Sequence, residues 1–261
     1  MTTITLRQYY REIESLIHNG QAASAEAHCR YILGVHPKAI AVHRLLGNTL
    51  IEKMDYSSGG KAYLQVLASI PDDIIAHIGL SVIREADGDL EAAGWHMQHA
   101  VEIQPANEIL QADLRRLLSQ GEGMVPPKIP LTRGSLARMY LLGGLYHQAI
   151  AELDAALADE PERIDLQCLL VQVYRQAGMI EQAAEKAESV LEKLPDCLEG
   201  NLVMYLAAIK GDSSADVNLY RLRLAALDPY SVHVSPENPN PAQVPDHKVE
   251  IDTLQWQAAE N

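Results

Sequence analysis

No phenylalanine occurs in the 261 residues, and aromatic side chains amount to 5 % of them, so a core made from this sequence is filled mainly by aliphatic side chains. Basic residues are scarce too. Lys and Arg total 21 against 35 Asp and Glu, a formal charge of −14, which speaks against nucleic acid or an anionic membrane as partner, since both are bound through clustered cations. The most apolar run, Leu202 to Ile209, has eight residues, whereas a bilayer span takes roughly 20, and no membrane insertion is expected. Met1 to Arg7 contain neither a basic leader followed by an apolar stretch nor a small-residue cleavage site. No secretory signal is read there, and the cytoplasm is the expected location. Cys29, Cys168 and Cys197 form no C-x-x-C pair and leave one over in any pairing; they are expected as free thiols of a reducing compartment.

Catalytic motifs are missing as well. There is no G-x-S-x-G, H-E-x-x-H or G-x-G-x-x-G, and Gly60-Lys61 lacks the remainder of a phosphate-binding loop. No catalytic residue, no metal site and no cofactor are expected, and the chain is read as a non-enzyme. His96 and His99 stand three apart on one helix and could share a metal; the alternative is a pair of solvated histidines. His43 and His77, 34 apart, reflect periodicity.

That periodicity is the strongest signal present. Prolines fall at 37, 71 and 105 and again at 161, 195 and 229, each triplet stepping by 34. Twelve residues before each proline stand Ala25, Gly59, Ala93, Ala149, Ala183 and Val217; twelve before those stand Ile13, Gly47, Ser81, Ala137, Val171 and Tyr205. Most are small, as two antiparallel helices need where their backbones approach closely. A proline after the second helix ends it by lacking an N–H and clashing with the preceding turn. The spacing predicts a helical hairpin, with Gly144 and Gly178 at turns inside two of them.

In the segment Gly134-Ser-Leu-Ala-Arg-Met-Tyr140, Gly144 to Leu153 and Pro161, and again in Leu170, Tyr174, Gly178, Ala183, Ala184 and Pro195, the chain resembles the tetratricopeptide repeat, as does Leu46-Gly47. The resemblance implies an all-α fold, an α-solenoid of helix-turn-helix TPR-like repeats in a right-handed superhelix. Between Pro105 and Pro161 the step widens to 56. Glu108 to Gln120 reads as an added helix with Asn107 as its N-cap, and Gly121 to Pro130 as a Pro/Gly linker. The expected organisation is two three-repeat modules: residues 1–120 with a capping helix, a linker at 121–130, and 131–231. A Pro-rich tail, 232–261, is expected to be mostly extended. One continuous superhelix is the competing arrangement.

In this family the first helices of successive repeats line a concave surface that grips an extended or helical peptide. The resemblance places Tyr10, Glu14, Arg44, Asn48, Ile75, Ile78 and Val82 on that wall in the first module, and Arg138, Leu141, Cys168, Gln172, Arg175, Leu202 and Leu206 in the second; each is equally open to being packing filler. Arg44 and Asn48 fit part of a clamp that some members use for a peptide's terminal carboxylate. Val82 and Ala112 replace polar members of that clamp, so the expected ligand is instead an amphipathic helix or apolar strand. The chain is thus expected to be a protein-binding adaptor or scaffold, or alternatively the repeat portion of a larger secretion, envelope-assembly or signalling machine. Val249, Ile251, Leu254 and Trp256 give the tail an apolar end that either docks in a groove, its own or that of a second copy by self-association, or frays.

Overall fold

The computed structural model describes residues 2–121, 128–211, 216–235 and 239–255. Among them are thirteen α-helices: α1 (Leu6–His18), α2 (Ala22–Val35), α3 (Ile40–Glu52), α4 (Tyr56–Leu67), α5 (Ile74–Ala86), α6 (Leu90–Ile103), α7 (Glu108–Gly121), α8 (Arg133–Leu142), α9 (Tyr146–Asp159), α10 (Ile164–Gln176), α11 (Ile180–Lys193), α12 (Leu198–Lys210) and α13 (Val217–Leu227). Two short strands, β1 (Thr3–Thr5) and β2 (Glu250–Asp252), complete the regular structure. No described helix is long and apolar enough to cross a membrane. The chain forms two compact units, one from residues 1–69 and 205–261 and the other from 70–204.

Helical hairpins recur within each unit: α1 with α2 and α3 with α4 in the first, α5 with α6, α8 with α9 and α10 with α11 in the second. The small places are where the backbones meet. Ala25, Ala93, Ala149 and Ala183 are fully buried, as are Ile13, Ala137 and Val171. Ser81 Oγ donates to the carbonyl of Ala93 at 2.9 Å, joining two places that lie twelve residues apart. At Gly47 the Tyr63 ring approaches so closely that a Cβ would stand 2.6 Å from it. The turns inside the hairpins obey the same period: Gly20, Gly88, Gly144 and Gly178 have positive φ, and the equivalent place in the second hairpin holds Met54 at φ 58°.

A second periodic device secures the turns between repeats. The fourth residue of α3, α5, α10 and α12 turns back to the carbonyl of the proline six residues earlier: His43 to Pro37, His77 to Pro71, Gln167 to Pro161 and Asn201 to Pro195. Gln111 does the same for Pro105 from the fourth residue of α7, so α7 begins as a repeat's first helix begins. Among the described residues it has no hairpin partner of its own, and it packs on α6.

The expected linker has its centre, residues 122–127, outside the described residues. After it, α8 packs against α6 as well, held by Ser135 Oγ donating to the carbonyl of Glu102 at 3.0 Å and by Arg138 on Asp72 at 3.1 Å. The stretch 121–130 thus falls inside the second compact unit, and these polar contacts join residues more than 30 positions apart.

In the first unit the tail is folded rather than simply extended. Short 3₁₀ turns at Pro241–Gln243 and Asp246–Lys248 lead into β2, which pairs antiparallel with β1 in the register Ile4 to Ile251. Arg7 organises the approach: its guanidinium donates to the carbonyls of Val244 at 2.5 Å and Pro241 at 2.7 Å, pairs with Asp246 at 2.9 Å, and lies 3.8 Å over the Tyr230 ring. Tyr9 accepts the N–H of Leu254 at 3.0 Å. Val244 and Ile251 are buried, so the apolar end expected of the tail covers the chain's own N-terminal helix. Trp256 lies outside the described residues.

Two outcomes follow from these contacts. Met54→Gly relieves a left-handed conformation that costs a side-chain-bearing residue about 1–2 kcal/mol, against roughly 0.5–1 kcal/mol of added chain entropy; a net gain of about 0.5–1 kcal/mol is expected in urea denaturation. Arg7→Met is expected to free the tail at a cost of roughly 2 kcal/mol from the carbonyl bonds alone, read as faster hydrogen exchange at the Thr253 and Leu254 amides. Hydrogen bonding to Arg7, with help from Arg11, holds the Asp246 carboxyl below its ordinary value of 3.8. Its contribution is therefore present above that value and lost as the pH falls through the lower folded one.

Candidate functional site

The richest concentration of buried charge lies in the second unit, where α6, α8 and α10 meet. Thr132 caps α8 by accepting the N–H of Ser135 at 3.0 Å. That brings Gly134 against the end of α6, where Glu102 is 6 % exposed. One carboxylate oxygen of Glu102 takes a hydrogen bond from Arg163 at 3.1 Å. The other rests against Gly134, where a Cβ would stand only 1.6 Å away, and has no hydrogen-bond partner among the described residues. Arg163 also binds Asp165 through two bonds of 2.9 and 2.7 Å. Burial alone raises the Asp165 carboxyl; the Arg163 bonds outweigh it and hold the group below its ordinary range.

Above this network opens a polar cleft of about 410 Å³ whose walls include Trp95, His99, Glu102, Arg133, Glu160 and Arg163. Trp95 is half exposed and packs on His99, ring centroids 3.9 Å apart and planes tilted by 37°. His99 in turn stacks on the buried His77, whose Nδ1 lies 3.1 Å from Nδ1 of His96. His77 Nε2 donates to the Pro71 carbonyl, which leaves its Nδ1 as the acceptor and His96 as the donor. Burial pushes both rings down to about 4, so the pair is neutral at pH 7. His96 and His99 are thus half-buried members of an aromatic cluster. Among the described residues no three His, Cys, Asp or Glu are placed to hold a metal. A second, apolar cavity of about 270 Å³ sits between α6, α7 and the stretch before α8, lined by Val101, Leu114, Leu118, Ile129 and Leu131.

Neither a family model nor a curated protein matches the chain. Among solved structures, a tetratricopeptide repeat protein from Parabacteroides merdae is 13 % identical, with 84 % of this chain and 98 % of that one covered at a TM-score of 0.40. The protein MamA is 13 % identical over 80 % of this chain and 96 % of its own, TM-score 0.39. The TPR domain of P58(IPK) is 11 % identical over 85 % and 60 %, TM-score 0.39. The 34-residue hairpins, paired through buried small residues and stopped by proline, decide the architecture. It is a tetratricopeptide-like α-solenoid.

Of the residues expected to line a TPR groove, Tyr10, Glu14, Arg44, Asn48 and Leu206 belong to the first unit and the others to the second. Burial, with Asp228 next in influence, pushes the Tyr10 hydroxyl above its ordinary range. Asn48 accepts the Tyr63 hydroxyl at 2.6 Å, and Arg44 and Gln172 are half-buried. Arg138 is buried on Asp72, and Arg175 is paired with Glu199. Leu202 and Leu206, 2 % and 4 % exposed, are core residues, and Cys168 is buried also. Ile78 and Leu141 pack at the margins of hydrophobic clusters. Ile75 and Val82 are different: each is 40 % exposed, and they lie seven residues apart on the same side of α5.

The Glu102 network is invisible to the repeat pattern because it joins residues 61 apart. In that pattern Gly134 is simply one residue of a hairpin; its real constraint is the carboxylate beside it. Gly134→Ala is expected to push Glu102 off Arg163 and cost about 2 kcal/mol in urea denaturation. In a Glu102→Ala background the same substitution is expected to cost little, and equal costs in both backgrounds would show that the carboxylate is not what the glycine accommodates.

Proposed function

We propose that the chain is a non-catalytic protein-binding scaffold, and that it takes an amphipathic helix of a partner along α5 in the second unit. The observation that carries this reading is the exposure of Ile75 and Val82. Two large β-branched side chains stand in water at a spacing of two helical turns, on the first helix of a TPR-like hairpin. A partner helix presenting apolar residues at the same spacing would bury both. Arg138 and Arg175, two of the charged residues expected to contribute, are spent on internal ion pairs, so affinity on this face rests on apolar packing. The acidic balance of the chain, −14 overall, supports a basic rim on the partner's helix. Three free cysteines support a reducing compartment, hence the cytoplasm. The tail already covers α1 of its own chain, which favours closure in cis over self-association through the tail.

The test begins with a photo-crosslinking residue at position 82, introduced in the native cell. The captured protein is then titrated against the purified chain and against Ile75→Glu/Val82→Glu. Removing two apolar anchors is expected to weaken binding about 10- to 100-fold, while Ile109→Glu, on exposed surface of α7, leaves it unchanged. Unaltered affinity in the double variant, or no crosslink at 82, would overturn the reading.

A further inference from the structure

Cys168, on α10, and Cys197, just before α12, are 29 residues apart in sequence and both buried, 5 % and 1 % exposed. Their Sγ atoms lie 3.4 Å apart. Cys197 Sγ also receives the N–H of Gly200, in the first turn of α12, at 3.5 Å, so a thiolate there has two donors and the favourable end of a helix dipole. The hydrogen bond from Cys168, with that of the Gly200 amide, holds the Cys197 thiol below its ordinary range. The same bond, burial and the neighbouring Asp72 and Asp165 carboxylates push Cys168 up. The Gly200 amide thus favours a thiolate at Cys197. Arg175 on Glu199 ties the same two helices together, which keeps the pair facing one another. Cys29 lies in the first unit, and burial pushes its thiol up to about 12.

We propose that Cys168 and Cys197 are a modification site, converted by a peroxide into an intramolecular disulfide that staples α10 to the start of α12. Cys197 thiolate attacks one oxygen of hydrogen peroxide; an S–O bond forms as O–O breaks, and the departing hydroxide takes up a proton as water. Cys168, giving up its proton, then attacks the sulfenic sulfur; S–S forms as S–O breaks, and a second water leaves. Two thiols lose two electrons and one peroxide gains them. Side-chain rotation closes the gap to a bond of about 2.05 Å.

The experiment treats the reduced full-length chain with equimolar hydrogen peroxide, quenches with iodoacetamide and measures intact mass and tryptic peptides. Expected are a loss of about 2 Da before alkylation, a cross-linked peptide containing Cys168 and Cys197, alkylation of Cys29 alone, and reversal by dithiothreitol. The melting midpoint is expected to rise by several degrees on oxidation. Cys168→Ala and Cys197→Ala, checked for native helicity by circular dichroism, are expected to abolish both the link and the rise. Should either variant fail to fold, the peptide map of the unaltered chain still decides. Full alkylation of both cysteines after oxidation, a sulfinic acid at either without a link, or a link through Cys29 or to a second chain would overturn the proposal.

Discussion

Close approach of two helix backbones, repeated every 34 residues, is the constraint on which the rest of this molecule depends. Where Ser81 touches Ala93 and where Tyr63 lies over Gly47, no larger side chain fits without forcing the helices apart. Each hairpin so formed buries a stripe of aliphatic side chains but leaves another uncovered. Stacking neighbours is the way such hairpins bury their remaining apolar surface. The core is mainly Ala, Val, Ile and Leu, with Tyr9 and Tyr63 among the largest side chains fully buried in it.

Stacking needs rigid connections, and here the polar side chains take over. A proline ends each second helix, leaving its own carbonyl without a helical donor. His43, His77, Gln111, Gln167 and Asn201 supply one from the following helix. One period thus sets a breaker and, six residues on, the group that satisfies what the breaker exposes. The neutrality of His77 follows from its place in this arrangement, since the ring is buried and its Nε2–H committed to Pro71, so that the protonated form is disfavoured.

Charge is used internally in the second unit. Arg138, Arg163 and Arg175 all look, from their places on first helices and the turns before them, as if they were available to a ligand. Each instead neutralises a carboxylate from another repeat. Two of these pairs, Arg138 on Asp72 and Arg163 on Glu102, join repeats on either side of the insertion between Pro105 and Pro161, at a seam the regular pattern does not provide for. Buried ion pairs fix such a seam geometrically, because misregistry leaves a charge uncompensated. Ile75, Val82 and the half-exposed Trp95 are among the apolar side chains that this unit leaves on its surface.

The hairpins, their small-residue contacts, the turn glycines and the added helix α7 are legible in the sequence, because each is a local event with a fixed period. Pattern recognition detects what recurs at constant spacing. It raises docking of the tail but does not show where, since Arg7 recognises the carbonyls of Val244 and Pro241, and a carbonyl is carried by every residue alike. It does not pair Cys168 with Cys197, or Glu102 with Arg163, because single long-range contacts have no period. Position on a first helix says which side chains are expected to face inward, not whether another repeat has already claimed them, as Glu199 has claimed Arg175. Sequence alone determined the repeat; the tertiary structure decided which of its polar and apolar groups were left over, because that depends on what each meets across the fold.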